Sequence, residues 1–218
     1  MEVLHERTAA SARASRGAGF TLIELLAVLM ILSILIAILV TQLRPAKEAT
    51  QEGITRTLLG QIGAALGEFS DEHGGFPPSQ LPSDLGAPPN GTNLGAECLY
   101  LALCAQGAPG YGVLDQTDKL SNTDNDSLSK RAKGFDSQEL FEICDVWGNP
   151  IAYIQAADYD REFQYATVDR DGGPQESALR ARKNPKTGRY QEPNGFQLVS
   201  AGLDGLFGTE DDLTNYKK

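Results

Sequence analysis

Three aspartates near the C-terminus offer the oxygen chemistry of a cation site. Asp204, Asp211 and Asp212 lie in a glycine-rich stretch, SAGLDGLFGTEDDLTN, which spans residues 200–215. Calcium takes about six to eight oxygen ligands, many of them backbone carbonyls, and glycines allow a chain to curl so that its carbonyls point inward. Thr209 adds a hydroxyl oxygen. From the residues alone, this stretch is either a calcium loop or an acidic, turn-rich tail that holds no ion.

A second candidate for chemistry is Glu24, the one charged residue in the apolar run of 21 residues at positions 20–40. A carboxylate in hydrocarbon costs about 2.5–3.5 kcal/mol even on a lenient insertion scale, so the group needs a partner or a function. Cleavage after Gly19, if it occurs, would create a new α-amino group on Phe20. That ammonium group, supplied by a neighbouring copy of the chain, can pair with Glu24 and set the register between copies.

Residues that commonly act in catalysis are few and scattered. The histidines are His5 and His73, and no two cysteines have CxxC spacing, so neither a zinc site nor a nucleophile–histidine pair is predicted. The sequence also lacks the glycine-rich phosphate loop that ends in Lys and Ser or Thr. We therefore predict that the protein is not an enzyme. One disulfide and buried free thiols are both compatible with the three cysteines, Cys98, Cys104 and Cys144.

Composition divides the 218 residues into an apolar anchor and an acidic remainder. The formal net charge of −10 disfavours a nucleic-acid partner, because phosphate binding requires a basic surface. As a helix, residues 20–40 extend roughly 32 Å, enough to cross the hydrocarbon core of a bilayer. The run is longer than the apolar core of a secretory signal peptide and is not followed by an A-x-A cleavage site, so a transmembrane helix is predicted.

The helical pattern continues beyond the apolar run, although Pro45 follows it closely. Proline kinks or ends a helix, so the helix either stops there or resumes as an amphipathic segment over residues 41–72. The second alternative is favoured by an apolar stripe with four- and three-residue spacing, which consists of Leu58, Ile62, Leu66 and Phe69. Glycines weaken this segment by up to about 1 kcal/mol each, so it must pack against a globular domain.

Residues 73–218 are predicted to form a small α+β head. Three short runs with strand-like composition are bounded by turn residues, namely 151–154, 163–168 and 195–201. We expect three or four antiparallel strands packed on the amphipathic half of the long helix, with a short helix over residues 97–105. Residues 77–96 and 106–137 have loop composition. The second of these loops contains Asp118, Asp124 and Asp126. These aspartates are predicted to lie in solvent rather than to bind a metal.

The residues around Glu24 resemble a known processing site. Gly19-Phe20-Thr21-Leu22-Ile23-Glu24, followed by the apolar run, is similar to the signal of class III prepilins, a family that comprises the type IV pilins and the pseudopilins of type II secretion. The resemblance implies a pilin-like fold and a prepilin peptidase that removes residues 1–19 as a leader and methylates the new N-terminus on Phe20. It also implies a single pass through the inner membrane, with a cytoplasmic leader and a periplasmic C-terminal domain.

Three further stretches resemble the major pseudopilin of type II secretion, often called the G protein of that system. They are residues 68–78 (EFSDEHGGFPP), 145–154 (DVWGNPIAYI) and the C-terminal loop 200–215. Residues 156–195 do not match this subgroup and look like an insertion whose role is open.

The same resemblance implies a structural calcium ion in the C-terminal loop. The expected ligands are the side chains of Asp204, Asp211, Asp212 and Thr209 and the carbonyl groups of Ala201 and Leu206. Members of the subgroup often have a further acid at the position of Thr214, and Asp212 is the expected substitute for it.

Taken together, these patterns predict a structural subunit that polymerises into a helical filament. The resemblance implies minor pseudopilins, a prepilin peptidase, an inner-membrane assembly platform and membrane lipid as partners, and no nucleic acid. Two alternatives stay open: a type IV pilus subunit that serves adhesion, motility or DNA uptake, and a membrane-anchored binding protein.

Overall fold

The computed structural model describes residues 19–81, 85, 90–104, 119–131 and 137–217, apart from the side chains of residues 42–44. The expected leader therefore lies outside the described residues, except for Gly19. The chain forms two compact units, divided between Lys47 and Glu48.

Helix α1 spans Leu22–His73, 52 residues, and continues through Pro45. This extent confirms the continuous helix that the stripe predicted and excludes an end at the proline. Every described residue from 20 to 41 is exposed, and the helix is long and apolar enough to cross a membrane. The helix ends before Gly74, whose φ of 76° is a left-handed conformation that glycine adopts without strain.

The second unit is built on the C-terminal part of α1. The predicted stripe is buried there: Leu58, Ile62 and Leu66 are at most 1% exposed, and Phe69 packs at the edge of the same cluster. The stripe contacts Leu99 and Leu103 of helix α2, which spans Leu94–Leu103. This helix confirms the predicted short apolar helix, although it begins three residues earlier than expected. Residues 94–96 are thus helix rather than loop.

The described residues of the second unit also form seven short strands: β1 Leu120–Ser121, β2 Glu142–Ile143, β3 Ala152–Gln155, β4 Glu162–Val168, β5 Pro174–Arg180, β6 Phe196–Ser200 and β7 Leu213–Thr214. The antiparallel sheet β3-β6-β7 has three strands, while β1-β2 and β4-β5 are separate two-stranded ladders. The α+β architecture is confirmed. The predicted strand at 163–168 is present but lies outside the three-stranded sheet, because it pairs with its sequence neighbour β5 over all seven residues.

The unmatched stretch 156–195 contains the β4–β5 hairpin, which spans residues 162–180. Its turn closes through hydrogen bonds from the N–H of Asp169 to the carbonyl of Gly173 and from the N–H of Gly172 to the carbonyl of Asp169, as the turn residues indicate. The inner face of the hairpin buries Phe163, Tyr165 and Leu179 against the three-stranded sheet. The insertion is therefore part of the hydrophobic core.

One expectation about the loops is wrong. Asp126 is only 9% exposed and Asp124 is partly buried, so these aspartates do not lie in solvent as predicted. They follow strand β1, whose pairing with β2 draws the segment against the rest of the unit. The third member of that prediction, Asp118, lies outside the described residues.

Candidate functional site

Glu24 forms a capping box with Thr21 at the start of α1. The Thr21 hydroxyl accepts a hydrogen bond from the backbone N–H of Glu24 at 3.3 Å. In return, Glu24 Oε2 accepts hydrogen bonds from the Thr21 N–H at 2.9 Å and from the Thr21 hydroxyl at 2.8 Å. These bonds satisfy backbone donors that a helix N-terminus otherwise leaves unpaired. This capping role differs from the ionic role expected for Glu24. The sequence contains the signal for it, because Thr-x-x-Glu before an apolar run is the capping-box signature.

The expected cleavage point lies immediately before this cap. Gly19 and Phe20 precede α1, are not part of any helix or strand, and are exposed, with Phe20 79% accessible. The peptide bond between them therefore lies in an exposed segment, and Phe20 precedes Glu24 by four residues.

The C-terminal loop curls between β6 and β7, whose pairing brings Ser200 opposite Leu213. Gly202, Gly205 and Gly208 have φ values of 67°, 68° and 98°, which side-chain-bearing residues rarely adopt. The glycines therefore allow the tight curvature that the sequence indicated.

Asp204 and Asp211 lie together in this loop. Asp211 accepts hydrogen bonds from the backbone N–H of Asp204 at 3.1 Å and from the hydroxyl of Thr209 at 2.5 Å. Burial raises the pKa of Asp211, but these hydrogen bonds outweigh burial and hold the pKa below its ordinary value. Asp204 Oδ1 accepts from the N–H of Leu206 at 2.8 Å, and the Leu206 carbonyl accepts from Thr209 at 3.2 Å. The side chains of Asp204, Asp211 and Thr209 and the carbonyl of Leu206 therefore make this loop rich in oxygen atoms, and Asp211 is an ionised carboxylate. Ala201, the other expected ligand, precedes them in the same loop.

Asp212 has a different environment from the other two aspartates. The residue is 3% exposed, and its Oδ2 accepts hydrogen bonds from Arg182 Nη2 at 3.1 Å and from the N–H of Gly208 at 2.9 Å. Arg182 lies in the insertion. Its positive charge is paired with Asp212, the residue that the resemblance implied to be a calcium ligand. A role of Asp212 in calcium binding remains a prediction.

A second group of acids was not recognised from the sequence as a unit. Side-chain oxygens of Glu97, Asp124 and Glu142 lie within 4.8 Å of one another. Burial and the charge of Asp126 raise the pKa of Glu97 to about 10. Burial raises the pKa of Glu142 to about 8, against hydrogen bonds from Thr123 and Asn93 that lower it. These four acids, Glu97, Asp124, Asp126 and Glu142, are called the buried acid cluster below.

The three cysteines are free thiols, so the open alternative is decided against a disulfide. Burial raises the pKa of Cys104 to about 11 and the pKa values of Cys98 and Cys144 further. They remain protonated at neutral pH and act as small apolar groups of the core.

One part of the chain matches a known protein family. Residues 15–40 match the family described as the prokaryotic N-terminal methylation motif, and this match includes Gly19, Phe20 and Glu24. Comparisons with curated proteins and with solved structures found no match. The motif, together with the apolar helix that follows it, fits a membrane-anchored protein processed as a prepilin. At its N-terminus the chain therefore carries the class III prepilin signal of type IV pilin-like proteins.

Proposed function

We propose that this protein is a structural subunit of a type II secretion pseudopilus. A prepilin peptidase cleaves it between Gly19 and Phe20, and the mature chain assembles at the inner membrane into a helical filament that helps to export folded proteins. The observation that carries the proposal is the methylation motif over residues 15–40, with Glu24 in the first turn of a long apolar helix. The secretion role, rather than a pilus role, is favoured by the stretches that resemble the major pseudopilin.

The exposed apolar surface of α1 supports association of this helix with the same helix in other copies of the chain. Large apolar side chains along residues 20–40 are 46% to 82% exposed, far more continuous apolar surface than a soluble monomer presents. Lipid covers such a surface before assembly, and equivalent helices of neighbouring copies cover it in a filament. Minor pseudopilins and an assembly platform would contact the same segment.

Within this proposal, Glu24 pairs with the N-terminal ammonium group of Phe20 in a neighbouring copy. We expect Glu24→Gln to abolish assembly while leaving the helix start intact, because glutamine retains the capping box but lacks the charge. Glu24→Ala removes both the cap and the charge. The measurement is the sheared or cross-linked filament fraction, with membrane-extracted protein as the total. Normal filaments from Glu24→Gln together with none from Glu24→Ala would mean that the cap, and not the charge, is what assembly needs.

We also propose a structural calcium ion in the C-terminal loop, held by Asp204, Asp211 and Thr209 with carbonyls of Ala201 and Leu206. Asp212 contributes only if it leaves Arg182. Because calcium binds the folded loop and not the unfolded chain, it stabilises the fold by mass action. The protein is first stripped of metal with a chelator and calcium is then added. We expect the rise in Tm on adding calcium to be smaller in Asp211→Asn than in the unaltered chain, by about 5 °C or more. Glu162→Gln, an exposed acid on β4, is the matched control and should leave this rise unchanged.

The first test of the proposed function is the N-terminal mass of the protein extracted from its native membrane. We expect a chain that begins at N-methylated Phe20. A chain that still begins at Met1, in cells with an active prepilin peptidase, would make the protein an ordinary anchored protein.

The type of filament is then tested in cells that lack the protein. Loss of extracellular enzymes supports the pseudopilus, whereas normal secretion with loss of motility, adhesion or DNA uptake would assign the subunit to a type IV pilus.

A further inference from the structure

The buried acid cluster draws its side chains from separate parts of the second unit. Glu97 lies in the first turn of α2, Glu142 lies in β2, and Asp124 and Asp126 lie in the segment after β1. Glu97 and Glu142 are 0% exposed. Residues that are far apart in the sequence thus bring three carboxyl groups within 4.8 Å of one another, and the fourth, that of Asp126, lies against Glu97.

Most oxygens of the cluster have no hydrogen-bond donor. Both oxygens of Glu97, both of Asp126 and Oδ1 of Asp124 are buried without a donor among the described residues. The carboxyl groups of Glu97 and Asp126 are close enough to share a proton. One shared proton satisfies two of these five oxygens. Leaving the rest unsatisfied is unfavourable, because a buried polar atom loses its hydration without replacement.

The remaining oxygens are oriented from outside the cluster. Glu142 accepts hydrogen bonds from Asn93 Nδ2 at 3.2 Å and from the N–H of Thr123 at 2.8 Å. Asp124 Oδ2 accepts from Asn90 Nδ2 at 2.9 Å. Such outer donors fix the direction of carboxylates and are typical of the surroundings of metal ligands. Asn93 itself is fully buried in a left-handed conformation, with φ of 59°, so its amide has a fixed position.

No ion pair among the described residues joins the cluster to a basic side chain. The ion pairs formed among the described residues join Arg161 to Asp158, Arg180 to Glu162 and Arg182 to Asp212, and none involves the cluster. Buried acids in folded proteins are normally paired with a cation or coordinate a metal. Oxygen-only ligands select hard cations, and calcium accepts more carboxylates and a less regular geometry than magnesium does.

We propose that Glu97, Asp124, Asp126 and Glu142 bind a calcium ion inside the globular unit. The ion joins helix α2 to the β1–β2 ladder and its following segment, and its charge stabilises the ionised form of these carboxyl groups. This site is separate from the C-terminal loop, and it does not depend on the filament function.

The test uses the full-length chain in detergent after treatment with a chelator, with calcium chloride as the titrant. Asp211→Asn first weakens the proposed C-terminal site, so that the calcium response that remains comes mainly from the second site. In this background we expect calorimetry to detect bound calcium and the Tm to rise with calcium by about 5–10 °C. Absence of both effects in Asp211→Asn, while the unaltered chain shows them, would assign all calcium binding to the C-terminal loop and overturn the proposal.

The double variant Asp211→Asn, Glu97→Gln then tests the cluster directly. The amide has nearly the same shape as the protonated carboxyl group but cannot ionise to bind an ion, so we expect little change in the Tm without calcium and no rise when calcium is added. A calcium response equal to that of Asp211→Asn alone would show that the ion binds elsewhere. If this variant does not fold, Asp124→Asn, at a less buried position, serves in its place with the same expected loss of response. Glu162→Gln is the control acid outside both sites.

Discussion

Replacement of Gly205 by alanine is expected to lower the free energy of unfolding of the globular unit by about 2–4 kcal/mol, the sum of a left-handed backbone cost and overpacking. Gly205 has a φ of 68°, and a Cβ there would collide with the carbonyl oxygen of Val168 and with Nε2 of Gln175. Val168 cannot retreat easily because it is the last residue of β4 and pairs with Pro174 of β5. The same side chain of Gln175 donates a hydrogen bond to the carbonyl of Asp204 at 2.8 Å, so the substitution also separates the loop from the hairpin.

Gly188→Ala is the matched control for this prediction. Gly188 has the same φ of 68°, but no atom lies within 4 Å of the position that a Cβ would occupy. We expect this variant to lose only about 1 kcal/mol, the cost of the backbone conformation. Chemical denaturation of both full-length variants in detergent, followed by circular dichroism, measures the difference. Equal losses in the two variants would mean that the contact between the C-terminal loop and the hairpin contributes nothing to stability.

The second large effect is expected at Ile62, which lies on α1 within the hydrophobic core. Its side chain is 0% exposed and belongs to the cluster that joins α1 to α2 and to the three-stranded sheet. Ile62→Ala removes buried methyl and methylene groups and leaves a cavity, so we expect a loss of about 2–5 kcal/mol in the free energy of unfolding.

Ile54→Ala provides a control of the same residue type on the same helix. Ile54 is 43% exposed, and alanine has a higher helix propensity than isoleucine, so its replacement is expected to change stability by less than about 0.5 kcal/mol. Urea or thermal unfolding of the monomeric protein in detergent measures both variants. If Ile54→Ala lost as much stability as Ile62→Ala, the conclusion that the apolar stripe of α1 is the side of the helix buried in the globular unit would be contradicted.

The insertion is in direct contact with the candidate calcium loop. Arg182 follows β5 and its guanidinium pairs with Asp212, while Ser177 of β5 accepts a hydrogen bond from the N–H of Phe207 at 2.9 Å. The hairpin thus holds the loop in place from one side through side-chain contacts. In this chain, part of the acidic charge of the loop is balanced by an arginine, and Asp204 and Asp211 are the two other carboxylates of the proposed calcium site.

Much of the architecture is predictable because it depends on residues that are close in sequence. The apolar run, the stripe from Leu58 to Phe69 and the glycines after His73 define α1 and its end, since helix formation follows from a local period and local end signals. Turns at Gly148-Asn149-Pro150 and after Asp169 likewise depend on a few adjacent residues. The prepilin motif is also contiguous, which is why it is readable without a structure.

Strand β5 shows where such local reasoning fails. Its sequence, PQESALR, contains little apolar material, and only Ser177 and Leu179 are buried. It becomes a strand because β4 offers seven paired positions and because its alternate side chains cover the three-stranded sheet. Pairing energy between strands, and not intrinsic propensity, decides such a segment.

By itself, the sequence determined the processing signal, the long helix with its apolar and amphipathic halves, and the glycine positions of the C-terminal loop. Each depends on contiguous residues whose conformation follows from local sterics and periodicity. Only the tertiary structure decided that Arg182 neutralises Asp212 and that four acids, spread over residues 97 to 142, meet in the interior. The physical reason is that burial and charge pairing are properties of the packed chain, so an aspartate in a polar segment has the same local sequence whether it lies in solvent or faces three other carboxylates.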